Sequence, residues 1–287
     1  MCGIVGYIGT QPAAPILLNG LAKLEYRGYD SAGIAIENPD SKIEVIKAKG
    51  RLSVLADMTD NGKAVKGTCG IGHTRWATHG EPSSANAHPH VSNDKTIAVV
   101  HNGIIENYLE LREKMTKAGA VFVSETDTEV VAHMLHHYYK GDPLEAITKV
   151  MMRVRGSYAL GILFMDRPGE IYAVRKDSPL IVGQSKTGNF IASDVPAILE
   201  YTRDVYYIQN MEIAKMTKDS LSFYNIDQEE ITKELHHIEW DAKAAEKEGF
   251  EHYMMKEIYE QPKAIHDTIT PRIKDGKIVL DELEMIG

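Results

Sequence analysis

The sequence predicts an α+β fold in which helices cover antiparallel sheets. Helical and strand-like segments mix over the first two hundred residues without a regular strand–helix–strand rhythm. From Gly156 to about residue 237, short strand-like runs follow one another with turns between them, which is typical of antiparallel sheet. The 287 residues are 43% hydrophobic and 25% charged, which is sufficient for one large core or two smaller ones.

The first elements are identified by their apolar spacing. Residues 3–8 are predicted as a buried strand, and a helix follows because its leucines recur at i, i+4 and i+7. Further strand-like runs lie at 32–36, 43–48, 68–74 and 96–101. The leucines of the predicted helix are Leu17, Leu21 and Leu24.

Three more helices are indicated by their start signals. Asn107 and Glu110 predict a capping box for a helix whose apolar face includes Leu111 and Met115. A second helix is expected near Thr126, with Glu129 three residues further on, and Asp142-Pro143 begins a third.

The later part of the chain is predicted to be mainly strands. After Trp240 the sequence becomes charged from Asp241 to Glu248, and the stretch 253–261 resembles a helix. We therefore expect one domain over residues 2–240, followed by a linker over 241–287. The predicted strands are Tyr158–Met165, Ile171–Arg175, Leu180–Gln184, Asn189–Ala192, Val205–Ile208, Glu212–Met216 and Ser220–Tyr224.

Charge and cysteine content narrow the function classes. The net charge of −9 and a pI near 5.7 argue against nucleic acid, whose binding depends on Lys and Arg contacts to phosphates. No apolar run approaches the roughly 20 residues that span a bilayer, so no membrane partner is expected. Two cysteines and the absence of a basic amino-terminal region favour a cytoplasmic protein. Small-molecule chemistry is the expectation that remains.

Cys2 is a candidate nucleophile because it directly follows the initiator Met1. After removal of Met1 its α-amine, with a reference pKa of about 7.7–8.0, could take the proton of a thiol with a pKa of about 8.5. The alternative is a small buried side chain at the start of a strand, and position alone favours that alternative.

A polar motif, His73-Thr-Arg-Trp-Ala-Thr-His-Gly80, stands where a predicted strand ends. The planar guanidinium of Arg75 suits a carboxylate, and Thr78 and His79 add donors nearby. A surface loop with a structural arginine ion pair is the alternative, which the motif by itself does not exclude.

Two further motifs could complete such a site. Asn102 and Gly103 end a predicted buried strand at a turn, where a side-chain amide and a backbone N–H could form an oxyanion hole. Asp127 is expected in the first turn of a helix, where it could bind a substrate ammonium or interact only with the helix dipole. A simple Asn-Gly turn is the alternative for the first motif.

Together these blocks resemble the class II glutamine amidotransferases. The resemblance is carried by Cys2-Gly-Ile-Val-Gly, Arg75, Asn102-Gly103 and Asp127 in that order, and it implies a four-layer αββα sandwich of the N-terminal-nucleophile hydrolase type. Within this class the chain most resembles the glutamine–fructose-6-phosphate aminotransferases (isomerizing). The blocks that carry this closer resemblance are Leu24–Gly33, His73–Gly80, His101–Asn107, Ser124–Val130 and His252–Pro262.

The resemblance implies a role for each site residue. Cys2 would attack the side-chain amide of L-glutamine and form a glutamyl thioester, while Asn102 and Gly103 would stabilise the oxyanion. Asp127 would hold the α-amine, and Trp76 would gate the passage of ammonia. Arg27 corresponds to an arginine that the family places near the nucleophile. The residues implied for the α-carboxylate are Arg75, Thr78 and His79.

The resemblance also implies the wider context. The ammonia would serve amino-sugar synthesis in hexosamine biosynthesis, in a full-length enzyme that is implied to be a homodimer. The sugar isomerase domains are not seen in this sequence, so residues 241–287 are expected to be a linker and the start of that half. A glutamine-binding module without turnover is the alternative if Met1 is retained, and the glutaminase of another class II amidotransferase is a further one.

No cofactor or metal is expected. Three histidines share one predicted helix, but the apolar stripe of that helix is expected to leave His133 and His137 on the solvated side. His88 and His90 flank Pro89 in a polar loop; they could border the glutamine pocket, and a role in the loop alone is an equal alternative. Cys69 is expected in the core. The histidines of the predicted helix are His133, His136 and His137.

Overall fold

The structure, a computed structural model, describes residues 2–239 and 249–280. The chain divides into two compact units, Met1–Glu239 and Trp240–Gly287, which are described separately.

The first unit contains an eight-stranded sheet in which all neighbouring strands are antiparallel. Its central strand β1 directly follows Cys2, so the candidate nucleophile lies at the end of a buried strand. The strands are β1 (Gly3–Gly9), β2 (Ser31–Glu37), β3 (Ile43–Lys49), β4 (Cys69–Arg75), β9 (Ile181–Gln184), β10 (Gly188–Ala192), β11 (Asp204–Tyr207) and β15 (His236–His237), in the spatial order β15-β11-β9-β10-β1-β4-β2-β3.

A second, seven-stranded antiparallel sheet contains the segment with Asn102. Its strands are β5 (His90–Val91), β6 (Ile97–Ile105), β7 (Gly156–Phe164), β8 (Ile171–Lys176), β12 (Ile213–Met216), β13 (Leu221–Tyr224) and β14 (Glu230–Ile231), in the spatial order β14-β13-β12-β8-β7-β6-β5.

The two sheets pack face to face through an apolar core. This core takes Ile8 and Ile71 from the first sheet and Val100 and Leu163 from the second, all nearly fully buried. Because side chains alternate along a strand, the opposite faces of both sheets are left to be covered by helices.

Helices α1 (Ala13–Leu24) and α2 (Leu52–Met58) belong to the eight-stranded sheet, and glycines allow α1 to approach it closely. A Cβ on Gly70 or Gly72 of β4 would lie 3.2 Å from the Leu17 side chain or 3.0 Å from that of Leu21. The leucine spacing that predicted α1 therefore marks the face that packs on β4.

The outer face of the seven-stranded sheet is covered by α3 (Tyr108–Lys117), α4 (Glu129–Tyr138) and α5 (Pro143–Met151). Met115, Leu135 and Ile147 of these helices form one apolar cluster with Leu160 and Ile162 of β7. The layers are therefore helix, sheet, sheet and helix, which confirms the predicted α+β fold with four αββα layers.

Several local predictions are corrected by the structure. Asn102 and Gly103 do not form a turn, because both lie inside β6 and pair with Ala159 and Tyr158 of β7. Asp127 does not lie in the first turn of α4 but two residues before the helix begins.

The capping predictions have mixed outcomes. Asp142 caps α5 through the backbone N–H groups of Leu144 and Glu145, as predicted. Asn107 is the N-cap of α3, but its side chain bonds to the backbone of Arg153 and Arg155 instead of closing a capping box.

The prediction that His133 faces solvent is wrong. His133 is buried, its ring edge lies against Phe122, and its Nε2 lies 3.4 Å from a carboxylate oxygen of Glu129. The loop around Phe122 thus covers the side of α4 that its apolar stripe alone would leave exposed. His137 is exposed, as expected. Among the residues described, no group of three or more His, Cys, Asp or Glu side chains is placed to hold a metal ion.

The second unit contains helix α6 (Tyr253–Ile269), which continues beyond the predicted stretch and through Pro262. A short hairpin follows, with β16 (Ile273–Lys274) paired to β17 (Lys277–Ile278). The charged linker predicted at 241–248 lies outside the described residues. In the part of the chain with described structure, no helix is both long and apolar enough to cross a bilayer.

Candidate functional site

One cleft brings the predicted site residues together where β1, β4 and β6 meet. Gly3 of β1 pairs with Thr74 of β4, so Cys2 lies beside the end of β4. Asn102, also expected in the site, adjoins the cleft by its bond to Cys2. The cleft is lined by Cys2, Arg75, Trp76, Thr78, His79, His88, His101, Gly103, Thr126, Asp127 and Thr128.

The Cys2 thiol is held by the backbone of Trp76. The Trp76 N–H donates to Sγ of Cys2 over 3.2 Å, and Sγ lies 3.6 Å from the Trp76 carbonyl oxygen. Burial raises the pKa of the Cys2 thiol, while the Trp76 N–H acts in the opposite direction by stabilising a thiolate. The sulfur is therefore a thiol at rest and needs a base nearby before it can act as a nucleophile.

Asn102 contacts the candidate nucleophile directly. Its Nδ2 donates to the carbonyl oxygen of Cys2 over 2.9 Å, and its side chain is 8% exposed. An amide nitrogen carries two hydrogens, so this bond leaves the second one for another acceptor in the cleft. Asn102 thus has the chemistry of a donor to an oxyanion formed beside Cys2.

Gly103 adopts a backbone conformation that favours glycine. Its φ is +120°, and a Cβ at this position would lie 2.1 Å from the carbonyl oxygen of Ser157 in the neighbouring strand. Only glycine fits here, because a side chain would collide with β7. The backbone at residues 102–103 is consequently fixed by the sheet.

Arg75 is buried and closes the loop that follows β4. Its Nη2 donates to the carbonyl oxygens of His79 and Gly80, the latter over 3.0 Å, and its Nη1 lies 4.0 Å from a carboxylate oxygen of Asp30. The structural role considered for this arginine is therefore present. It is compatible with a second role toward a bound carboxylate, because a guanidinium has five N–H donors.

The loop after Arg75 carries the other predicted binding residues. Thr78 and His79 line the cleft, with Nδ1 of His79 lying 3.3 Å from Oγ1 of Thr78. Trp76 is 48% exposed, and its ring makes an edge contact with Tyr29 at 5.5 Å between centroids. Asp30 fixes the loop by accepting from the Ala77 N–H.

Asp127 is the carboxylate that lines the cleft. Its Oδ2 accepts from the Ile105 N–H over 2.8 Å, which ties it to the end of β6. The side chain is nearly buried yet lines the cleft. A carboxylate in this position has the charge to receive an ammonium group.

Arg27, which the resemblance places near the nucleophile, is not among the described residues that line the cleft. Its guanidinium pairs with Asp194 and with the hydroxyl of Tyr26.

Four buried histidines form a cluster at the cleft: His88 and His101 line it, whereas His73 and His90 lie behind it. The His73 and His88 rings stack at 4.1 Å, and His88 makes an edge contact with His90 at 4.8 Å. Nδ1 of His101 lies 2.8 Å from Oγ1 of Thr128. We call His73, His88, His90 and His101 the histidine cluster.

The histidine cluster is held neutral. Burial is the main cause that lowers the pKa of each of its members, to about 3 for His73. In the sequence, only the positions of two of these histidines indicate that they lie near the site. His73 stands two residues before Arg75 on the same strand, and His101 directly precedes Asn102.

Most of the residues that line this cleft lie within a match to a known sequence family. A sequence profile described as a glutamine amidotransferase domain matches residues 73–200. This range contains Arg75, Asn102 and Asp127, whereas Cys2 lies outside it.

Curated relatives match nearly the whole chain. It is 58% identical over 286 residues to the glutamine–fructose-6-phosphate aminotransferase (isomerizing) of Clostridium acetobutylicum, covering 99% of this chain and 47% of the relative. The enzyme of the same name from Caldanaerobacter subterraneus subsp. tengcongensis is 57% identical with the same coverage. The chain thus spans about half the length of the curated relatives it matches.

A solved structure supports the fold. The glutamine phosphoribosylpyrophosphate amidotransferase from B. subtilis, complexed with ADP and GMP, is similar to this chain with a TM-score of 0.68 at 25% identity. The likeness covers 80% of this chain and 50% of that one. It agrees with the four-layer arrangement expected for the N-terminal-nucleophile hydrolase type.

Proposed function

We propose that this chain, a glutamine amidotransferase domain homologous to the glutaminase half of the glutamine–fructose-6-phosphate aminotransferases, hydrolyses L-glutamine to L-glutamate and ammonia with Cys2 as nucleophile. The observation that carries the proposal is that the Cys2 thiol lies in one cleft with Arg75 and Asp127, while Asn102 adjoins it by its bond to the Cys2 carbonyl oxygen. A thiol, an amide donor, a guanidinium and a carboxylate match the four groups that glutamine hydrolysis requires.

The first half of the reaction forms a thioester. Removal of Met1 frees the Cys2 α-amine, which takes the thiol proton as sulfur attacks the side-chain amide carbon of glutamine. The carbonyl oxygen becomes an oxyanion, which accepts from the second Nδ2 hydrogen of Asn102 and from the Gly103 N–H. The intermediate then collapses, the C–N bond breaks, and the α-ammonium returns its proton to the leaving nitrogen, so that neutral ammonia departs.

The second half regenerates the enzyme. A water molecule gives a proton to the α-amine and attacks the thioester carbon, again through an oxyanion held by the same two donors. The C–S bond breaks, glutamate leaves, and the sulfur is reprotonated. Apart from glutamine and water, every group used in these two steps belongs to the chain.

Recognition of the amino-acid end of glutamine is assigned to the polar and charged residues that line the cleft. Arg75, with Thr78 and His79, would bind the α-carboxylate, and Asp127 would bind the α-ammonium. Charges of opposite sign in the same cleft would orient the substrate with its side chain toward Cys2. Trp76, an exposed aromatic residue of the cleft, would cover the path by which ammonia leaves.

The activity of the whole protein is a wider proposal, supported by the activity for which the relatives are named. Residues 2–240 would form the glutaminase domain, and 241–287 would be a linker and the start of a sugar isomerase half. The ammonia would be transferred there to fructose 6-phosphate, for amino-sugar synthesis by a cytoplasmic homodimer. Neither nucleic acid nor a membrane would be a partner.

The test combines mass and turnover. Intact mass spectrometry of the purified chain should show loss of Met1, and incubation with glutamine should release glutamate and ammonium in equal amounts. Hydroxylamine added during turnover should divert the thioester to a γ-glutamyl hydroxamate. A chain that lacks Met1 and binds glutamine but releases no ammonium would instead support the binding-module alternative.

A further inference from the structure

His73 is a buried member of β4 that lies behind the cleft. Its side chain is fully buried, and the ring is not among the groups that line the cleft. The reaction proposed above assigns it no step. A polar side chain placed so deeply must contribute through the groups it contacts.

The contacts of His73 fix which ring nitrogen carries its hydrogen. Nε2 lies 2.9 Å from the carbonyl oxygen of His101 and 3.0 Å from Oδ1 of Asn102. A backbone carbonyl can only accept, so Nε2 must be the protonated nitrogen and must donate. The same N–H is then shared between both oxygens, as in other three-centre hydrogen bonds.

This shared hydrogen determines the orientation of the Asn102 amide. Because the atom that faces Nε2 must be an acceptor, the oxygen of Asn102 points toward His73. The nitrogen is then turned to the opposite side, where it donates to the Cys2 carbonyl oxygen over 2.9 Å. Rotation of the amide by half a turn would break both bonds and place an acceptor where the oxyanion donor is needed.

Two features keep His73 in this donating state. Burial lowers its pKa to about 3, so the ring stays neutral in a single tautomer at working pH. The ring also stacks on His88 at 4.1 Å with an angle of 12° between planes. His88 is itself held in place, because its Nδ1 accepts from the His101 N–H over 3.2 Å.

We propose that His73 is a positioning residue for glutamine hydrolysis: its Nε2–H locks the Asn102 side chain with Nδ2 toward the oxyanion that forms beside Cys2. This inference rests on the proposed function and adds a residue that does not touch the substrate. Since His73 acts only through Asn102, its loss should weaken the chemical step and not the binding of glutamine.

The experiment compares two substitutions of nearly equal size at residue 73. His73→Gln keeps an amide donor at about the reach of Nε2, whereas His73→Met has none. His73→Met should lower kcat about 10- to 100-fold, the cost of a misaligned catalytic group, with KM changed less than about threefold. His73→Gln should recover most of that loss.

A double mutant isolates the route of the effect. In the Asn102→Ala background, His73→Met should cause no further loss in kcat, because the group that His73 orients is already absent. His90→Met is the matched control: it removes another buried histidine of the histidine cluster, one whose Nε2 lies 3.0 Å from Oγ1 of Thr126 instead of contacting Asn102. It should lower stability without the selective fall in kcat.

The outcomes separate this inference from the function it rests on. If the unmodified chain releases no ammonium from glutamine, the proposed function fails. If that chain is active and Asn102→Ala is slow, but His73→Met turns over normally, only the positioning role is wrong. A double mutant far slower than Asn102→Ala would likewise overturn it, as would equal losses in His73→Gln and His73→Met when both remain folded by circular dichroism.

Discussion

The side-chain amide of Asn102 donates to the carbonyl oxygen of Cys2 over 2.9 Å, although 100 residues separate the two in sequence. The bond joins the two sheets, because Cys2 directly precedes β1 and Asn102 lies within β6. The candidate nucleophile and the candidate oxyanion donor are therefore positioned by strands instead of by a flexible loop. Variants at either residue that leave the core intact should report on chemistry more than on folding.

Cys2→Ala should abolish ammonium release from glutamine and leave the melting temperature nearly unchanged, since it removes only one half-buried sulfur. Cys2→Ser should retain a trace of activity, because an alkoxide is harder to form than a thiolate at the same pH. Cys69→Ala is the matched control, for this second cysteine is buried in β4 and should affect stability but not turnover. Full activity of Cys2→Ala would exclude Cys2 as the nucleophile.

Asn102→Ala should lower kcat by on the order of 10²–10³ with little change in KM, because an oxyanion donor acts mainly in the transition state. Steady-state kinetics with glutamine separate the two parameters. Asn107→Ala serves as a control, since the side chain of that asparagine bonds to the backbone of Arg153 and Arg155. A change in KM alone for Asn102→Ala would contradict the oxyanion role.

Asp127→Asn should raise KM for glutamine about 10- to 100-fold, the effect of losing a hydrogen bond to a charged group. Asparagine can still accept from the Ile105 N–H, so the fold around β6 should be kept. Asp127→Ala should raise KM similarly and also reduce the free energy of unfolding, because that N–H loses its acceptor. An unchanged KM in Asp127→Asn would remove Asp127 from the substrate site.

Arg75→Lys should weaken glutamine binding by a few kcal/mol if the site is dry, because an ammonium cannot replace the planar fork. It should also loosen the loop, since Nη2 of Arg75 holds the carbonyl oxygens of His79 and Gly80. Isothermal titration of glutamine into a Cys2→Ala background measures the first effect, and proteolysis between residues 76 and 81 measures the second. Tight binding despite a loosened loop would leave Arg75 a structural role only.

The sequence predicted the strands closely because buried runs mark them independently of their partners. The predicted strand 43–48 is Ile43–Lys49, and that at 96–101 begins as β6 at Ile97. The same reasoning placed Asn102-Gly103 in a turn. An Asn-Gly pair looks the same in the sequence whether it lies in a turn or inside a strand. Only the closeness of the Ser157 carbonyl oxygen to Gly103 shows that glycine is needed inside this sheet.

The sequence could not predict roles that depend on neighbours in three dimensions. His133 was expected in solvent because the helical period counts only the apolar residues of its own helix, whereas Phe122 and Glu129 enclose it. His73 was part of a recognised motif, yet its function depends on the atom that Asn102 turns toward it. Such pairings follow from sheet packing, which no single-sequence pattern specifies.

The stability of the chain should depend on pH through the histidine cluster. Burial holds the pKa of each of its members below the usual value of about 6.5, and that of His73 at about 3. Below pH 6.5 the unfolded chain therefore binds protons that the folded chain does not. The free energy of unfolding should fall as pH is lowered from about 6.5, by up to about 1.4 kcal/mol per pH unit for each histidine.

Glu129 makes stability depend on pH over a second, lower pH range. Hydrogen bonds from Ser124 and the nearby His133 ring outweigh burial and lower the pKa of its carboxyl to about 2, so its contribution is complete above about pH 4.5 and is lost between there and pH 2. Between pH 6.5 and 5 the fall in stability should therefore come from histidines alone.

Urea unfolding at pH 7.5, 6.0 and 5.0 measures this dependence. His90→Gln should reduce the proton uptake on unfolding by about one and flatten the curve. Val99→Ala removes apolar volume from the cross-strand partner of His90, so it should lower stability at every pH without changing the slope. Equal stability of the unmodified chain at pH 7.5 and 5.0, or the same change of slope in both variants, would show that the histidine cluster is not held neutral by burial.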